Sequence, residues 1–482
     1  MKLHELLADV EIIKTSADMD MQITGVAYDS RKVTPGCLFV AVTGFATDGN
    51  KYIPMAVEKG AAAVITAKVP EQDVPYVQVA SDRLALALIG RNFYGNPGAA
   101  MKLIGVTGTN GKTSSTLLLK HVLETVLDAK VGLMGTMENM IGHESIPTER
   151  TTPESFELQA LLAKMRDAGC THAIMEVSSH AIALDRVGGL HYTVAAFTNL
   201  TEDHLDFHKT MENYCDTKAE LFNRCDKAVG NLDDAWYDRL CGGAKCPMLT
   251  VSSRQEAGLY AKNVSLLSDG ISFTAVYGDE QVDVVLPIPG KFTVYNALTV
   301  LGMALQLGIS LSDAAEALKT AKGVKGRVEV VPTGRPYTVL IDYAHTPDGL
   351  ENVLSSVKGF CKGRLIAVFG CGGDRDPIKR PIMGKIGTHI ADFSIITSDN
   401  PRTEAPMAII ADILKGVDSS QNNYEVIENR VKAICHAMDI ARENDIIVLA
   451  GKGHETYQEI NGVKNHLDER EVVAAHLEET RV

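Results

Sequence analysis

The sequence predicts an α/β protein of three domains: a small α/β unit, a central doubly wound domain and a C-terminal Rossmann-like α/β domain. Three observations carry that expectation. The chain has 482 residues, about three times the roughly 150 residues of a typical domain, which leaves ample length for separate buried cores. Short apolar runs alternate with helical patterns through the middle and again through the last third, as in parallel sheets covered by helices. Turn-forming residues punctuate the chain at 92–99 and around Gly323, Gly326 and Pro332, so the predicted domains are residues 1–98, 99–331 and 332–482.

Taken in order, residues 22–50 (QITGVAYDSRKVTPGCLFVAVTGFATDGN) hold two β-rich stretches about the turn Thr34, Pro35, Gly36, with a second turn at Asp48 and Gly49. NFYGNPGA at 92–99 favours turns over continued helix or strand and sets the first boundary. Leu103, Ile104 and Val106 then form a short strand, a Gly-rich turn follows, and Leu117, Leu118, Val122, Leu123 and Val126 recur at helical spacing. Residues 173–177 and 194–197 read as further strands and 156–165 as a helix. Past the second boundary, strands are expected at 339–343, 365–369, 393–397 and 446–449. A hairpin about Asn461 and Gly462 interrupts that alternation before a final helix.

Forty-seven Lys and Arg against 61 Asp and Glu give a net charge of −14, so the overall field repels polyphosphates and gives no drive toward nucleic acid. Anionic ligands must be held by local groups. Residues 1–16 carry Glu5, Asp9 and Glu11 and lack the basic start and apolar run of a signal peptide. No stretch approaches the ~18 apolar residues of a membrane span, so no membrane insertion is expected. Nine scattered cysteines without a CxxC pair fit a reducing cytoplasm. Cys241 and Cys246, the two nearest in sequence, have no zinc-ligand spacing around them.

The segment richest in chemistry is GVTGTNGKT at 105–113, between the strand and the helix. Glycines let consecutive N–H groups turn toward one point, the helix start adds positive potential, Lys112 reaches terminal phosphate oxygens and Thr113 offers a hydroxyl to Mg²⁺. The common form of this motif has a glycine where Val106 stands, so the match is the shorter Gly108, Gly111, Lys112, Thr113. Glu176 ends the apolar strand at 173–177, where an open sheet presents its ligand edge, and is the Mg²⁺ candidate. Ser178, Ser179 and His180 follow, as site residues or as a helix cap with an incidental histidine. The next strand ends comparably in TNLTEDHLD at 198–206.

GTNGKT (108–113), EVSSH (176–180), FTNLTEDHLDFH (197–208), Lys218 in TKAELF and GKFTVYNA (290–297) occur in this order and together resemble the Mur ligase family. These are ATP-dependent amide-forming enzymes of peptidoglycan precursor synthesis, and the resemblance covers nearly the whole chain. DNPRTE (399–404) and GKGHE (451–455) point, within the family, to members that add diaminopimelate. The resemblance implies an acid–amino-acid ligase, cytoplasmic and monomeric. It would move the ATP γ-phosphoryl onto the D-glutamate carboxylate of a UDP-N-acetylmuramoyl-dipeptide and let the amine of meso-2,6-diaminopimelate attack the acyl phosphate.

The same resemblance implies roles residue by residue. Lys112, Lys218 and His204 are the implied catalytic groups. ATP falls to Gly108, Thr109, Asn110, Gly111, Lys112 and Thr113, with Asn296 for adenine and Arg327 and Asp342 for phosphate or ribose. His345 either lines the implied nucleotide cleft or starts a helix. Thr113 and Glu176 are implied for one Mg²⁺, and His204 with Lys218, as a carbamate formed from CO₂, for a second. The small first domain is the implied UDP module, through Ser30 and Arg31 with Thr43 and Gly44 secondary. Thr151, Thr152, Ser178 and Arg186 take the muramoyl peptide; Leu184 stands where some relatives have a polar contact.

Charge argues the amino acid. Diaminopimelate carries a carboxylate at its far end that lysine lacks, so its pocket needs a fixed cation, which Arg402 supplies. Arg375, Asp399, Asn400, Gly451 and Glu455 complete the expected pocket. Lysine or another amino acid is the close alternative. A nucleotide-dependent switch explains the loop and Glu176 but has no need of Lys218, Arg402 or GKGHE.

Overall fold

The structure, a computed structural model, describes residues 1–44, 47–148, 150–267 and 269–480; Phe45 and Ala46 of the first turn-rich segment lie outside the described residues. Its contacts gather into two compact units, Met1–Tyr260 with Leu298–Ala317, and Ala261–Ala297 with Leu318–Val482. No helix among the described residues is long and apolar enough to cross a membrane.

The first unit holds an N-terminal sheet in the order Ile12–Thr15, Tyr76–Val79, Ala63–Thr66, Cys37–Val40, Gly25–Ala27, parallel except for its first pair. Its second sheet runs Met248–Ser252, Cys225–Asn231, Tyr192–Phe197, Lys102–Thr107, His172–Glu176, Val131–Met134, all parallel. Asn139–Ile141 and Glu144–Ile146 add an antiparallel edge. Strands covered on both faces read as unbroken apolar runs, and every residue of His172–Glu176 is buried. The helix Ser155–Asp167 lays Leu158, Leu161, Leu162 and Met165 on one face into the same core as Met134, Ala173 and Met175. Each such side chain contributes roughly 1.5–3 kcal/mol.

Strand order places Lys102–Thr107 between His172–Glu176 and Tyr192–Phe197, although the chain visits Val131–Met134 first. At this reversal the C-terminal ends of adjacent strands open onto one crevice.

The second unit contains the sheet Glu329–Val331, Thr338–Asp342, Ile446–Ala450, Leu365–Phe369, Phe393–Ile396, Tyr424–Val426, parallel but for its first pair. The hairpin Tyr457–Ile460 with Val463–His466 turns at Asn461 and Gly462, as the sequence predicts, and the helix Glu469–Glu479 follows.

Two features depart from the sequence reading. The helix after the Gly-rich loop begins at Lys112, not near Leu117, because its first turn, Lys-Thr-Ser-Ser-Thr, is polar and carries no apolar period. Strands at Cys225–Asn231 and Met248–Ser252 and the hairpin Ile271–Tyr277 with Glu280–Leu286 were not legible; Asp226, Lys227, Glu280 and Asp283 break their apolar runs.

His172 opens its strand buried, and its ring Nε2 has no hydrogen-bond partner. Burial first, then the Lys102 ammonium, lower its pKa from about 6.5 to about 4. The folded state therefore resists a proton that the unfolded chain accepts. Stability attributable to this ring is intact above pH 6.5 and declines as pH falls toward 4, by up to about 3 kcal/mol. In urea titrations across that window His172→Asn is expected to flatten the acid-side loss relative to wild type.

Candidate active site

The Gly-rich loop is braced by the neighbouring strand end. Thr198 Oγ1 donates to the Asn110 carbonyl at 2.6 Å, Asn199 Oδ1 accepts from the Asn110 N–H at 2.9 Å, and the Asn199 carbonyl accepts from the Thr109 N–H at 2.8 Å. Gly108 has φ +147°, and a Cβ there would meet Thr198 Oγ1 at 2.0 Å, so only glycine closes this turn. Gly111, at φ +83°, hands the chain directly to the helix Lys112–Leu127. The helix start thereby presents the positive end of its dipole to an anion. Lys112 Nζ donates to the Gly108 and Thr109 carbonyls at 2.9 and 2.7 Å.

Beside the loop, Glu176 is buried at the end of its strand. Its Oε1 accepts from Thr113 Oγ1 at 3.0 Å and from the Thr136 N–H at 2.9 Å, while Oε2 accepts from Thr136 Oγ1 at 3.0 Å. Two hydroxyls and a carboxylate are hard oxygen donors. The set fits Mg²⁺, which takes one or two carboxylates and leaves positions for water and phosphate. A cage of three His, Cys, Asp or Glu residues is absent among the described residues.

Lys218, in the helix Met211–Ala219, is only 1% exposed. Its Nζ donates to the Gly108 carbonyl at 2.9 Å, the same oxygen that Lys112 uses, and lies 4.7 Å from the Tyr214 ring centre. Burial first, then the Lys112 ammonium, push its pKa well below the ordinary lysine range. The amine is thus disposed to be neutral and nucleophilic. His204 has φ +54°, its N–H donates to Asp203 Oδ1 at 2.8 Å, and its ring sits edge-on to His180 at 4.9 Å and to Tyr214 at 6.2 Å. His208 Nε2 and Ser179 Oγ, 2.9 Å apart, tie the two histidine-bearing segments together.

The residues expected at the muramoyl peptide converge on the Glu176 strand end. Thr152 Oγ1 donates to the Glu176 carbonyl at 2.8 Å, the Ser178 N–H donates to Thr152 Oγ1 at 3.2 Å, and Thr151 Oγ1 lies 2.9 Å from Thr136 Oγ1. Ser178 also caps the helix Ser179–Ala183. Arg186 pairs with Glu154 at 2.8 Å and donates to the Thr152 carbonyl at 3.4 Å. Leu184 ends that short helix. In the N-terminal sheet region Ser30 is buried with Oγ 3.3 Å from Met55 Sδ, Arg31 is exposed against Asp29, and Thr43 donates its N–H and hydroxyl to Asp82. Gly44 follows Thr43.

In the second unit, Arg375, Asp399, Asn400, Arg402, Gly451 and Glu455 collect at the ends of Leu365–Phe369, Phe393–Ile396 and Ile446–Ala450. Arg402 takes φ +50°; its Nη1 donates to the Gly373 carbonyl at 2.7 Å and its Nε lies 3.4 Å from Glu459 Oε2. Arg375 Nη1 donates to the Asp374 carbonyl at 3.2 Å. Asn400 Nδ2 donates to Glu455 Oε2 at 2.9 Å. Asp342 accepts the Val328 and Ala344 N–H groups, one on each oxygen, at 2.8 Å, and burial pushes its carboxyl up. Arg327 lies 5.5 Å from the Tyr343 ring centre, and the Tyr343 ring is 4.7 Å from that of His345. Asn296 is buried in Lys291–Gln306.

Sequence reasoning missed Thr136, Tyr214, Thr198 and Asn199 as partners of the loop and the carboxylate. The position of Thr198 and Asn199 directly after an apolar strand was an available signal. Nothing local marks Thr136, whose partner Glu176 is 40 residues away, whereas Tyr214 precedes Lys218 by one helical turn.

A phosphate-type loop at the switch point of a doubly wound sheet, with an oxygen-lined cation site and a buried lysine beside it, is the equipment of a nucleotide-dependent α/β enzyme. The family model "Mur ligase family, catalytic domain" matches residues 22–94, "Mur ligase middle domain" 106–304 and "Mur ligase, glutamate ligase domain" 326–453. The chain is 48% identical, over 95% of its length and 96% of the relative's, to the UDP-N-acetylmuramoyl-L-alanyl-D-glutamate--2,6-diaminopimelate ligase of Clostridium botulinum. A solved structure of an enzyme of that name is 33% identical, with a TM-score of 0.79 over 99% of both chains. MurF ligase from Thermotoga maritima in complex with ADP shares the fold, with a TM-score of 0.59 over 94% of this chain and 97% of that one at 19% identity. This chain belongs to the Mur ligase family.

Proposed function

We propose that this chain, a cytoplasmic monomer, is an ATP-dependent ligase. It joins meso-2,6-diaminopimelate to the D-glutamate carboxylate of UDP-N-acetylmuramoyl-L-alanyl-D-glutamate, in peptidoglycan precursor synthesis. The observation that carries the reading is the gathering of Arg375, Asp399, Asn400, Arg402, Gly451 and Glu455 at adjacent strand ends of one sheet. The full-length relative of the same printed activity supports it. The cytoplasmic assignment is supported by nine free cysteines. The three-domain division at residues 98 and 331 belongs to the same reading.

Residues of the Gly-rich loop, 108–113, cradle the ATP phosphates, with the helix start at Lys112 turned toward them. Lys112 neutralises the γ-phosphoryl as the acceptor carboxylate approaches, a meeting of two anions that would otherwise repel. Thr113 and Glu176, with Thr136, hold Mg²⁺, and His204 with carbamylated Lys218 holds a second. Bound Mg²⁺ supplies positive charge to the phosphate and carboxylate oxygens. The neutral Lys218 amine adds CO₂ with loss of one proton, exchanging an uncharged group for an anion, while the carbamate N–H still serves the Gly108 carbonyl. Thr151, Thr152, Ser178 and Arg186 orient the peptide, and Ser30, Arg31, Thr43 and Gly44 take the UDP end. Asn296 is assigned to adenine, Arg327 and Asp342 to ribose or phosphate. Holding the far end of diaminopimelate by its own carboxylate and ammonium leaves the other amine to attack the acyl phosphate.

A substrate panel tests this. Phosphate release should require both the muramoyl dipeptide and an amino acid, diaminopimelate should exceed lysine in kcat/KM, and ¹⁸O from the D-glutamate carboxylate should appear in inorganic phosphate. Substrate-independent ATP turnover indicates a switch, and a preference for lysine overturns the amino-acid assignment.

A further inference from the structure

Behind the loops bearing Asp399–Arg402 and Gly451–Glu455 lies a buried group of charges to which the mechanism above assigns no role. Lys452 is fully buried; its Nζ donates to Asn400 Oδ1 at 3.1 Å and to Glu455 Oε2 at 2.9 Å. Asn400 Nδ2 donates to the same Glu455 oxygen at 2.9 Å, and Asn400 Oδ1 also accepts the Glu459 N–H at 2.9 Å. Beneath them Arg430 is 1% exposed, its Nε 2.8 Å from Oε1 of the fully buried Glu469. Arg430 also donates to the Ala450 and Ser398 carbonyls, at 2.9 and 3.4 Å. Those two residues immediately precede Gly451 and Asp399. Burial pushes the Glu469 carboxyl up and the Arg430 guanidinium opposes it.

A lysine is rarely buried without a partner, since desolvating its ammonium costs several kcal/mol. Here the cost is offset by two side chains, Asn400 and Glu455, from separate loops. The bonds to Glu455 fall on Oε2, which leaves Oε1 for a ligand. Asp399 Oδ2, buried, with no hydrogen-bond partner and 3.9 Å from Arg430 Nη1, is a second acceptor of that kind. With all five groups ionised, two cations face three carboxylates, and the excess negative charge complements one ammonium.

We propose that Lys452, seated on the Arg430–Glu469 pair, is a positioning residue that fixes Asn400 and Glu455 for the far, zwitterionic end of the amino acid. The inference rests on the functional reading above. Lys452 acts through its two neighbours and needs no contact with substrate.

The test is steady-state kinetics of the full chain carrying Lys452→Met or Lys452→Gln, with diaminopimelate, ATP and the muramoyl dipeptide varied in turn. Lys452→Met is expected to raise KM for diaminopimelate by about tenfold or more, the loss of hydrogen bonds made by a charged donor. KM for the other two substrates should stay within about twofold. Lys452→Gln keeps an N–H donor and should recover part of the loss; should Lys452→Met not fold, Lys452→Gln carries the same comparison. An unchanged KM for diaminopimelate, or an equal rise for all three substrates, overturns the positioning role. Wild-type enzyme that does not ligate diaminopimelate overturns the functional reading itself and this inference with it.

Discussion

Lys218→Ala is expected to lower kcat by about a thousandfold, equivalent to ~4 kcal/mol of transition-state stabilisation. Lys218 lies against the Gly108 carbonyl at 2.9 Å, inside the turn proposed to cradle phosphate. Burial and the Lys112 charge disfavour its ammonium form, as the proposed carbamate requires. Alanine removes both the amine and the anionic group it would become, and leaves space beside Tyr214. Formate or acetate diffusing into that space should restore part of the activity, in a concentration-dependent way. Lys218→Arg should be as impaired as alanine, because a guanidinium stays charged and forms no carbamate. Far-UV circular dichroism separates loss of chemistry from loss of fold. Full activity of Lys218→Ala without any additive would eliminate the carbamate role.

The second large effect concerns Arg402. Its guanidinium spends Nη1 on the Gly373 carbonyl and approaches Glu459 through Nε, which holds the fork in place while other N–H groups remain for a carboxylate. Arg402→Ala is expected to raise KM for diaminopimelate about 10- to 100-fold, the ~1.5–3 kcal/mol of hydrogen bonding to a charged group, with a smaller change in kcat. Lysine, which brings no second carboxylate, should lose far less, so the ratio of the two kcat/KM values contracts. Alanine at φ +50° is strained to the same degree as arginine there, so the comparison isolates the guanidinium. Equal KM values for diaminopimelate in wild type and Arg402→Ala would show that the carboxylate is held elsewhere.

Much of the fold was legible because parallel strands covered on both faces read as short apolar runs. Those at 103–106, 173–177, 194–197 and 365–369 overlap strands in the structure. The Gly-rich loop, Glu176 and the DNPR segment were legible for a related reason: strand ends are where a chain can change composition without disturbing a core. What stayed hidden was long-range. Thr136 meets Glu176 across 40 residues, and Arg430 meets Glu469 across 39; no local period records either encounter. The polar first turn at Lys112 hid a helix start for the opposite reason. Its residues face a ligand edge, so apolar periodicity had no cause to appear there.

Thr136 carries a consequence of its own. Its hydroxyl donates to Glu176 Oε2 at 3.0 Å and lies 2.9 Å from Thr151 Oγ1, so a single rotor joins the carboxylate assigned to the cation with the segment assigned to the acceptor peptide. A peptide that reorients this rotor alters how firmly Glu176 grips its ion, and thermodynamic reciprocity then obliges the ion to alter peptide affinity by the identical factor. On that proposed assignment the two ligands would report on one another before any bond is broken.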